Sequence, residues 1–182
     1  MTLSSPQEIR KFWFNEIPQK LWFTKDDSFD ELLRTRFLEI HKKVRQGEAF
    51  SWRETAEGRL AEIIVLDQFS RNMFRGTPDS FSFDAMALVL AQEAVAAKAD
   101  HHLTTEQKAF LYMPYMHSES PRIHQEAVKL FRGAGLENNL DFELRHKKII
   151  DRFGRYPHRN AILGRTSTPE EKEFLLQPGS GF

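Results

Sequence analysis

Two short segments of this 182-residue chain, residues 66–76 and 150–160, concentrate side chains whose types and spacing suit the binding of an anion. A guanidinium group binds the oxygens of a carboxylate or phosphate two at a time, and an asparagine amide adds a further donor. If the two segments meet in the fold, they form an anion-binding pocket. The residues predicted to bind the ligand are Asp67, Arg71, Asn72, Arg75, Asp151, Arg155, Arg159 and Asn160.

The two segments share a pattern that also has a purely structural explanation. An Asp-x-Phe-x-Arg pattern that begins at Asp67 is repeated 84 positions later, beginning at Asp151. Aspartate and arginine four residues apart lie on the same helix face and can pair there. The two ion pairs, Asp67–Arg71 and Asp151–Arg155, could therefore serve only to stabilise two helix ends. In that case the residues freer to meet a ligand are Asn72, Arg75, His158, Arg159 and Asn160.

Four further side chains are candidates for acid–base chemistry, because imidazole titrates near neutral pH and a positioned carboxyl group can donate or accept a proton. His117 and Glu119 flank Ser118, where they could instead supply a metal ligand or a helix cap. The predicted catalytic residues are His117, Glu119, His146 and His158.

A mixed metal site is a second possibility for some of these groups. Imidazole and carboxylate ligands could assemble one from Glu62, Asp67, His117, Glu119, His146 and Asp151. No His-Glu-x-x-His motif or other tight ligand spacing fixes such a site, and no glycine-rich nucleotide loop is present. The sequence therefore predicts no metal and no cofactor.

Helix-start signals recur along the chain and define the elements that must hold these side chains. A capping Ser or Thr followed three residues later by Glu or Gln occurs at Ser5, Ser28, Thr104 and Thr168, with a weaker start at Thr77. Apolar residues follow at helical spacing, and no stretch alternates as a strand would. The sequence predicts an all-α fold of about eight helices in antiparallel hairpins, at about residues 5–15, 28–46, 54–72, 79–98, 105–117, 121–132, 139–153 and 168–176.

Some side chains are expected to be structural or solvated. Pro114 should kink or end the fifth helix, because it removes a backbone donor. The aromatic triplets at residues 12–14 and 21–23 should be core, although part of one could form an exposed docking edge. His41 lies on a face rich in lysine and arginine, and we expect it to be solvated.

Composition limits the partners and the location. Lys+Arg and Asp+Glu both count 26, so no net field attracts nucleic acid or an anionic membrane. Cysteine is absent, which excludes disulfides and thiol nucleophiles. Residues 1–10 lack the apolar run of a signal peptide, and no apolar stretch is long enough to span a bilayer. We expect a cytoplasmic protein that forms one domain over residues 1–182, with a frayed tail at 177–182.

The motif-bearing segments also resemble a known family. Residues 66–76, 110–119 and 150–160, in this order, are similar to the bacterial domain-of-unknown-function 924 family. The likeness runs from the region of Phe12 to the helix start at Thr168. It implies a helical fold similar to tetratricopeptide-repeat proteins, built of stacked helix hairpins, and it implies no activity.

Two functions of different classes fit these observations. The first is a pocket for a small anionic ligand, a phosphate or carboxylate compound, with the histidines and Glu119 as acid–base groups. The second is a peptide- or protein-interaction module, in which a concave face of helical hairpins holds a peptide. The local density of arginine, histidine and asparagine favours the first, because a peptide groove would spread its contacts along many helices.

Overall fold

A computed structural model describes residues 5–133 and 135–181 of the chain. Within these residues the fold is all-α, with eight helices and no strand, which confirms the predicted fold class. The helices are α1 (Pro6–Lys11, continued by a π-helical turn at Phe12–Glu16), α2 (Asp27–Val44), α3 (Ala56–Ile64, continued by a π-helical turn at Val65–Phe69 and by Ser70–Met73), α4 (Asp84–Ala96), α5 (Thr105–Met116), α6 (Pro121–Gly133), α7 (Glu137–Phe153) and α8 (Pro169–Leu175).

Five short 3-10 turns connect these helices, at Gln19–Trp22, Phe50–Glu54, Pro78–Ser80, Ala99–His102 and Pro157–Arg159. Each helix from α3 to α6 packs against the next one in the chain, so short connections produce helix hairpins. Helix α3 also packs against α1 and α5, which places it at the centre of the molecule. In the part of the chain that the structure describes, no helix is both long and apolar enough to cross a membrane.

The helix starts follow the capping signals with two exceptions. Reciprocal capping boxes at Thr104 and Thr168 are present as predicted. Helix α2 is instead capped by Asp26, whose side chain accepts from the Phe29 amide, so the predicted cap at Ser28 is wrong. The start at Thr77 produces only the 3-10 turn Pro78–Ser80, and α4 begins at Asp84.

Two further sequence predictions concern Pro114 and the chain ends. Helix α5 continues past the buried Pro114 and ends at Met116, two residues later. After α8, residues 177–181 form turns in which the Ser180 hydroxyl donates to the Leu175 carbonyl oxygen. Residues 1–4 and 182, which the predicted domain and tail include, lie outside the described residues.

Aromatic rings fill the core around α3. Phe12 and Trp13 are buried on the π-helical turn of α1, and both pack against Phe69, with ring centroids 6.1 and 5.6 Å apart. Two residues of the first aromatic triplet are therefore core, as predicted, and the third, Phe14, is partly buried and packs against it. Phe23 of the second triplet is 70% exposed and stacks on Phe110 at 6.2 Å, so that triplet is only partly buried.

His41 is buried rather than solvated, which overturns the sequence prediction. Its Nε2 lies 2.8 Å from the Ser70 hydroxyl oxygen, and its ring packs between those of Phe74 and Phe83. The end of α3 packs against this face of α2, a tertiary contact that the charged neighbours of His41 in sequence do not reveal. Burial lowers the pKa of His41 to about 4.

The first turn of α3 leaves no room for a side chain at Gly58. A β-carbon there would lie 1.9 Å from the backbone carbonyl oxygen of Trp52. We expect Gly58→Ala to lower the free energy of unfolding by about 1–3 kcal/mol, because the turn Phe50–Glu54 must move to relieve the overlap. Urea denaturation at neutral pH measures the effect.

A matched control is available at Gly133, the last residue of α6. A β-carbon there has nothing within 4 Å, so Gly133→Ala should leave stability unchanged or raise it slightly. Equal unfolding free energies for the two variants would contradict the steric argument.

Candidate functional site

A π-helical turn in the middle of α3 carries Asp67. Such turns insert one extra residue into a helix and occur frequently at functional sites. The Asp67 carboxylate is fully buried, and its Oδ1 lies 2.7 Å from Nδ1 of His117 at the end of α5. The Gln68 amide donates to the other oxygen, Oδ2, at 2.7 Å. The carboxylate therefore fixes the orientation of the His117 ring.

The contact with Asp67 also determines which ring nitrogen of His117 carries the proton and which is left to accept one. Burial and the nearby Arg71 guanidinium lower the pKa of His117, while Asp67 opposes that shift. Burial alone would raise the pKa of Asp67, but His117 and Arg71 hold it well below its usual range. At neutral pH the ring is thus neutral and donates Nδ1–H to the carboxylate. Nε2 has no partner among residues 5–133 and 135–181, and 15% of the side chain is exposed.

The two arginine-rich segments meet at a third residue, Asp84, the first residue of α4. Arg71 donates from both terminal nitrogens to the Asp84 carboxylate at 2.9 and 3.0 Å, and also to Asp67 Oδ1 at 3.2 Å. Arg159 donates to Asp84 Oδ2 at 3.1 Å. The expected pairing of Asp67 with Arg71 is present. Asp84 was not predicted, because the helix was expected to begin at about residue 79 and no local motif marks an acidic residue at position 84.

Arg159 is a buried cation with incomplete hydrogen bonding. Its guanidinium lies between the rings of Phe81 and Tyr156, 4.5 and 4.7 Å from their centroids. One terminal nitrogen donates to Asp84, the other donates to the His117 carbonyl oxygen at 3.0 Å, and Nε has no partner in the described chain. Burial lowers the pKa of Arg159 despite the opposing charge of Asp84.

Of these groups, Asp84, His117 and Arg159 line a cleft of about 360 Å³. Helix α4 and the turn before it supply an apolar wall, and the end of α5 supplies a polar one. The lining residues are Pro78, Phe81, Ser82, Asp84, Ala85, Leu88, His117, Ser118, Glu119, Arg159 and Leu163.

A buried network beneath the cleft holds the turn that carries His117. Nε2 of His124 lies 2.7 Å from the Ser118 carbonyl oxygen, an obligate acceptor, so this nitrogen carries a proton. Nδ1 of His124 lies 2.7 Å from Glu143, whose pKa is raised by burial. The Tyr156 hydroxyl donates to the Met116 carbonyl oxygen at 2.5 Å. Residues 116–118 are therefore anchored by side chains from α6, α7 and the following turn.

Glu119 lies in the cleft wall as an ion-paired carboxylate. Arg165 donates to both of its oxygens, at 2.7 and 2.9 Å, and the Tyr156 amide donates to Oε1 at 2.7 Å. Burial opposes ionisation, but these donors lower the pKa of Glu119 below its usual value. Glu119 is therefore ionised at neutral pH and shapes the site as a negative charge rather than as a proton donor.

Asn72 and Arg75 do not reach the cleft, contrary to the expectation that they are freer to meet a ligand. Both bind Asp30 of α2: the Asn72 amide donates at 2.9 Å, and Arg75 donates at 2.6 and 2.9 Å. The last turn of α3 faces α2, and the sequence alone does not show which neighbour that turn contacts.

In the second copy of the Asp-x-Phe-x-Arg pattern, unlike the first, the aspartate and the arginine do not pair with each other. Asp151 is bound by Lys147, and Arg155 donates to both oxygens of Glu171 at 2.6 and 2.7 Å. Helix α7 ends at Phe153, and the following residue, Gly154, has a left-handed φ of 68°. Arg155 therefore lies beyond the helix and does not share a face with Asp151. The hydrogen bond from Arg155 lowers the pKa of Glu171 to about 2.

Asn160, His146 and His158 surround the site without lining the cleft. The Asn160 amide donates to Ser167 at 3.0 Å, and its oxygen accepts from Arg165 at 2.9 Å. The rings of His146 and His158 pack against Tyr156, with centroids 5.7 and 5.6 Å away. Burial lowers their pKa values to about 3 and about 4, so both rings are neutral at physiological pH.

The groups proposed for a mixed metal site are dispersed. Glu62 receives both of its hydrogen bonds from Arg53, at 2.7 and 2.8 Å, while Asp67 and Asp151 have the partners given above. Over the described ranges, 5–133 and 135–181, no three His, Asp or Glu side chains come together as metal ligands.

Comparisons with known proteins agree with this architecture. The model of the family described as "Bacterial protein of unknown function (DUF924)" matches residues 9–179. A solved structure of a protein of unknown function, ATU0120 from Agrobacterium tumefaciens, is similar at 38% identity and a TM-score of 0.88, covering 93% of this chain and 96% of that one. No curated protein matches. The chain belongs to the bacterial domain-of-unknown-function 924 family.

Proposed function

We propose that the cleft binds a small anionic ligand against Arg159, and that His117 acts on this ligand as a general base. The observation that carries the proposal is that both groups line the same cleft: a buried, incompletely bonded guanidinium beside the residue whose imidazole is oriented by a buried carboxylate. Asp67 and Arg71 support the site from behind, and Asp84 connects them to Arg159.

The hydrogen-bond inventory of Arg159 supports anion binding. A guanidinium has five N–H donors, and Arg159 uses one on Asp84 and one on the His117 carbonyl. Within residues 5–133 and 135–181, its one carboxylate partner is Asp84, which it shares with Arg71. A buried charge with unused donors is unfavourable unless something pairs with it. A ligand carboxylate or phosphate supplies both the acceptors and the negative charge.

The arrangement at His117 supports proton transfer. A buried aspartate that accepts Nδ1–H holds the imidazole in the tautomer whose Nε2 lone pair can take a proton, and it stabilises the imidazolium that forms. His117 is neutral before the reaction because burial lowers its pKa. The charge gained on protonation is then shared with Asp67, so the pair suits abstraction of a proton from the ligand or from a water beside it.

The size of the cleft favours a small molecule over a peptide. A volume of about 360 Å³ is near the lower end of the range for small-molecule sites, whereas a peptide needs an open groove. We further propose that the hairpins stack as in tetratricopeptide-repeat proteins, which the packing of α3 against both α4 and α5 supports. A cytoplasmic location stays a prediction from the sequence.

Nuclear magnetic resonance of isotope-labelled protein tests the proposal. We expect inorganic phosphate or acetate to cause saturable shifts of the amides of Ser82, Ser118 and Arg159. Long-range proton–nitrogen spectra at pH 7 should show His117 neutral, with its proton on Nδ1. Arg159→Gln should weaken anion binding at least about tenfold, the amount expected for loss of one charged hydrogen bond.

Arg152→Gln is the control, because it removes an equal charge from an exposed site on α7, where Arg152 pairs with Glu170. Arg159→Lys keeps the positive charge if the glutamine variant does not fold, and it should weaken binding by a smaller factor because lysine lacks the planar fork. The proposal is wrong if neither anion gives saturable shifts around Arg159 in the wild-type protein.

A further inference from the structure

We infer that the ligand is a small amphiphilic monoanion, a single carboxylate joined to an apolar group about as large as a pentyl chain or a phenyl ring. This inference rests on the proposed function and adds the chemical class of the ligand. It comes from the composition of the wall that faces His117 and Arg159, and from the charges that remain unpaired in the cleft.

Beside the polar groups, much of the cleft lining is apolar and partly open to solvent. Ala85 and Leu88 lie three residues apart, on one face of α4. Phe81 precedes that helix, and Leu163 comes from the segment after the turn Pro157–Arg159. All four are at least partly accessible, so an apolar group placed against them would remove further surface from water.

The charged side chains in the cleft leave a place for one anionic group. Both oxygens of Asp84 accept from arginines, and both oxygens of Glu119 accept from Arg165. Arg165 is committed to Glu119, the Asn160 oxygen and the Tyr156 carbonyl. Among the described residues that line the cleft, Arg159 is thus the cation with unused donors, and a second negative charge would lie near the carboxylates of Asp84 and Glu119. Phosphate monoesters and dicarboxylates fit this distribution less well than a monocarboxylate does.

The volume of the cleft limits how large the apolar group of the ligand can be. At about 360 Å³ it accommodates hexanoate or benzoate without a long chain left in solvent. With the carboxylate at Arg159, the apolar group would lie along Phe81 and Leu88.

A titration series with acetate, hexanoate, benzoate, succinate and inorganic phosphate tests this inference by the same amide shifts. Hexanoate and benzoate should bind at least about tenfold more tightly than acetate, because each buried methylene adds favourable transfer free energy. Succinate and phosphate should bind more weakly than hexanoate. Hexanol, which lacks the charge, should bind more weakly than hexanoate as well.

A variant that fills the cleft gives an independent readout. Ala85 is exposed at the cleft wall, so Ala85→Phe should keep the fold while reducing hexanoate affinity at least about tenfold and acetate affinity less. Val89→Phe is the matched control, because Val89 is 55% exposed on the same helix and does not line the cleft.

The outcomes separate the inference from the proposed function. If acetate binds as tightly as hexanoate, or succinate or phosphate binds more tightly, the amphiphilic class is wrong while the anion site stands. If hexanol binds as tightly as hexanoate, the carboxylate is not recognised. If no anion in the series shifts the amides around Arg159, the proposed function itself is overturned.

Discussion

Replacement of Asp84 by asparagine is expected to lower the free energy of unfolding by about 3–5 kcal/mol, the usual effect of removing one partner from a buried ion pair. Asp84 is the carboxylate that Arg71 and Arg159 share. An amide keeps the shape but loses the charge, and it presents one acceptor where the carboxylate presents two. Two guanidinium groups then face each other with Asp67 as the nearest remaining carboxylate of this cluster.

Denaturation by urea, followed by circular dichroism, measures this effect. Asp79→Asn is the control: Asp79 is exposed in the turn just before α4, where its carboxylate accepts from the Ser82 hydroxyl at 3.4 Å and pairs with no arginine among the described residues. The control should change stability by less than about 0.5 kcal/mol. A loss in Asp84→Asn no larger than that of the control would mean that the charge shared by the two arginines does not hold the segments together.

Stability should also fall steeply between about pH 6.5 and pH 4, well above the pH at which paired carboxylates are protonated. Burial lowers the pKa values of His41 and His158 to about 4 and that of His146 to about 3, and it lowers that of His117 as well. The same groups titrate near pH 6.5 in the unfolded chain.

The direction of this change in the free energy of unfolding follows from the number of protons that each state binds. Below about pH 6.5 the unfolded chain binds protons that the folded protein excludes, so the free energy of unfolding decreases as pH falls through this window. Each histidine contributes up to about 1.4 kcal/mol per pH unit. Together they should remove about 4 kcal/mol or more between pH 7 and pH 4.5. Below about pH 4 the stabilisation by Asp67 and Glu171 is lost in addition, because their pKa values are lowered in the folded state.

Urea denaturation at intervals of one pH unit from 7.5 to 4.5 measures the slope. His41→Gln should reduce the slope of unfolding free energy against pH by the equivalent of up to one bound proton. Glutamine can still bond to the Ser70 hydroxyl but does not titrate. His101→Gln is the control, since His101 is exposed. A free energy of unfolding that stays constant from pH 7 to pH 4.5 would show that the buried histidines do not behave as described.

Local signals in the sequence predicted most of the helices. Capping boxes at Thr104 and Thr168 act within one turn, and apolar periodicity acts within one helix, so both can be read without the fold. The exceptions are also local in origin. Asp26, two residues before the expected cap, competes successfully with Ser28, and the π-helical turn at Val65–Phe69 has no clear signature in residue types.

The candidate site was predictable only in part. Asp67, Arg71, His117 and Arg159 do come together, but the residue that joins them, Asp84, was not identified. Arg155 was assigned to the wrong partner, because the helix ends two residues before it, at Phe153, and a spacing of four residues no longer places two side chains on one face there. The hydrogen-bond partners of Arg75 and His41 depend on which face of α2 packs against the end of α3. That is a tertiary contact, which no local sequence signal reveals.

The bond between Arg159 and Asp84 joins residues 75 positions apart, and that between His117 and Asp67 joins residues 50 positions apart. Contacts between residues so far apart in sequence form late in folding. Closing the loop between them costs conformational entropy, and this cost must be met before the contacts can stabilise the fold. The helical hairpins can therefore form early while the cleft does not yet exist. A chain that has lost its C-terminal third, by proteolysis or during synthesis, would keep Asp67 and His117 but lack the arginine that faces them.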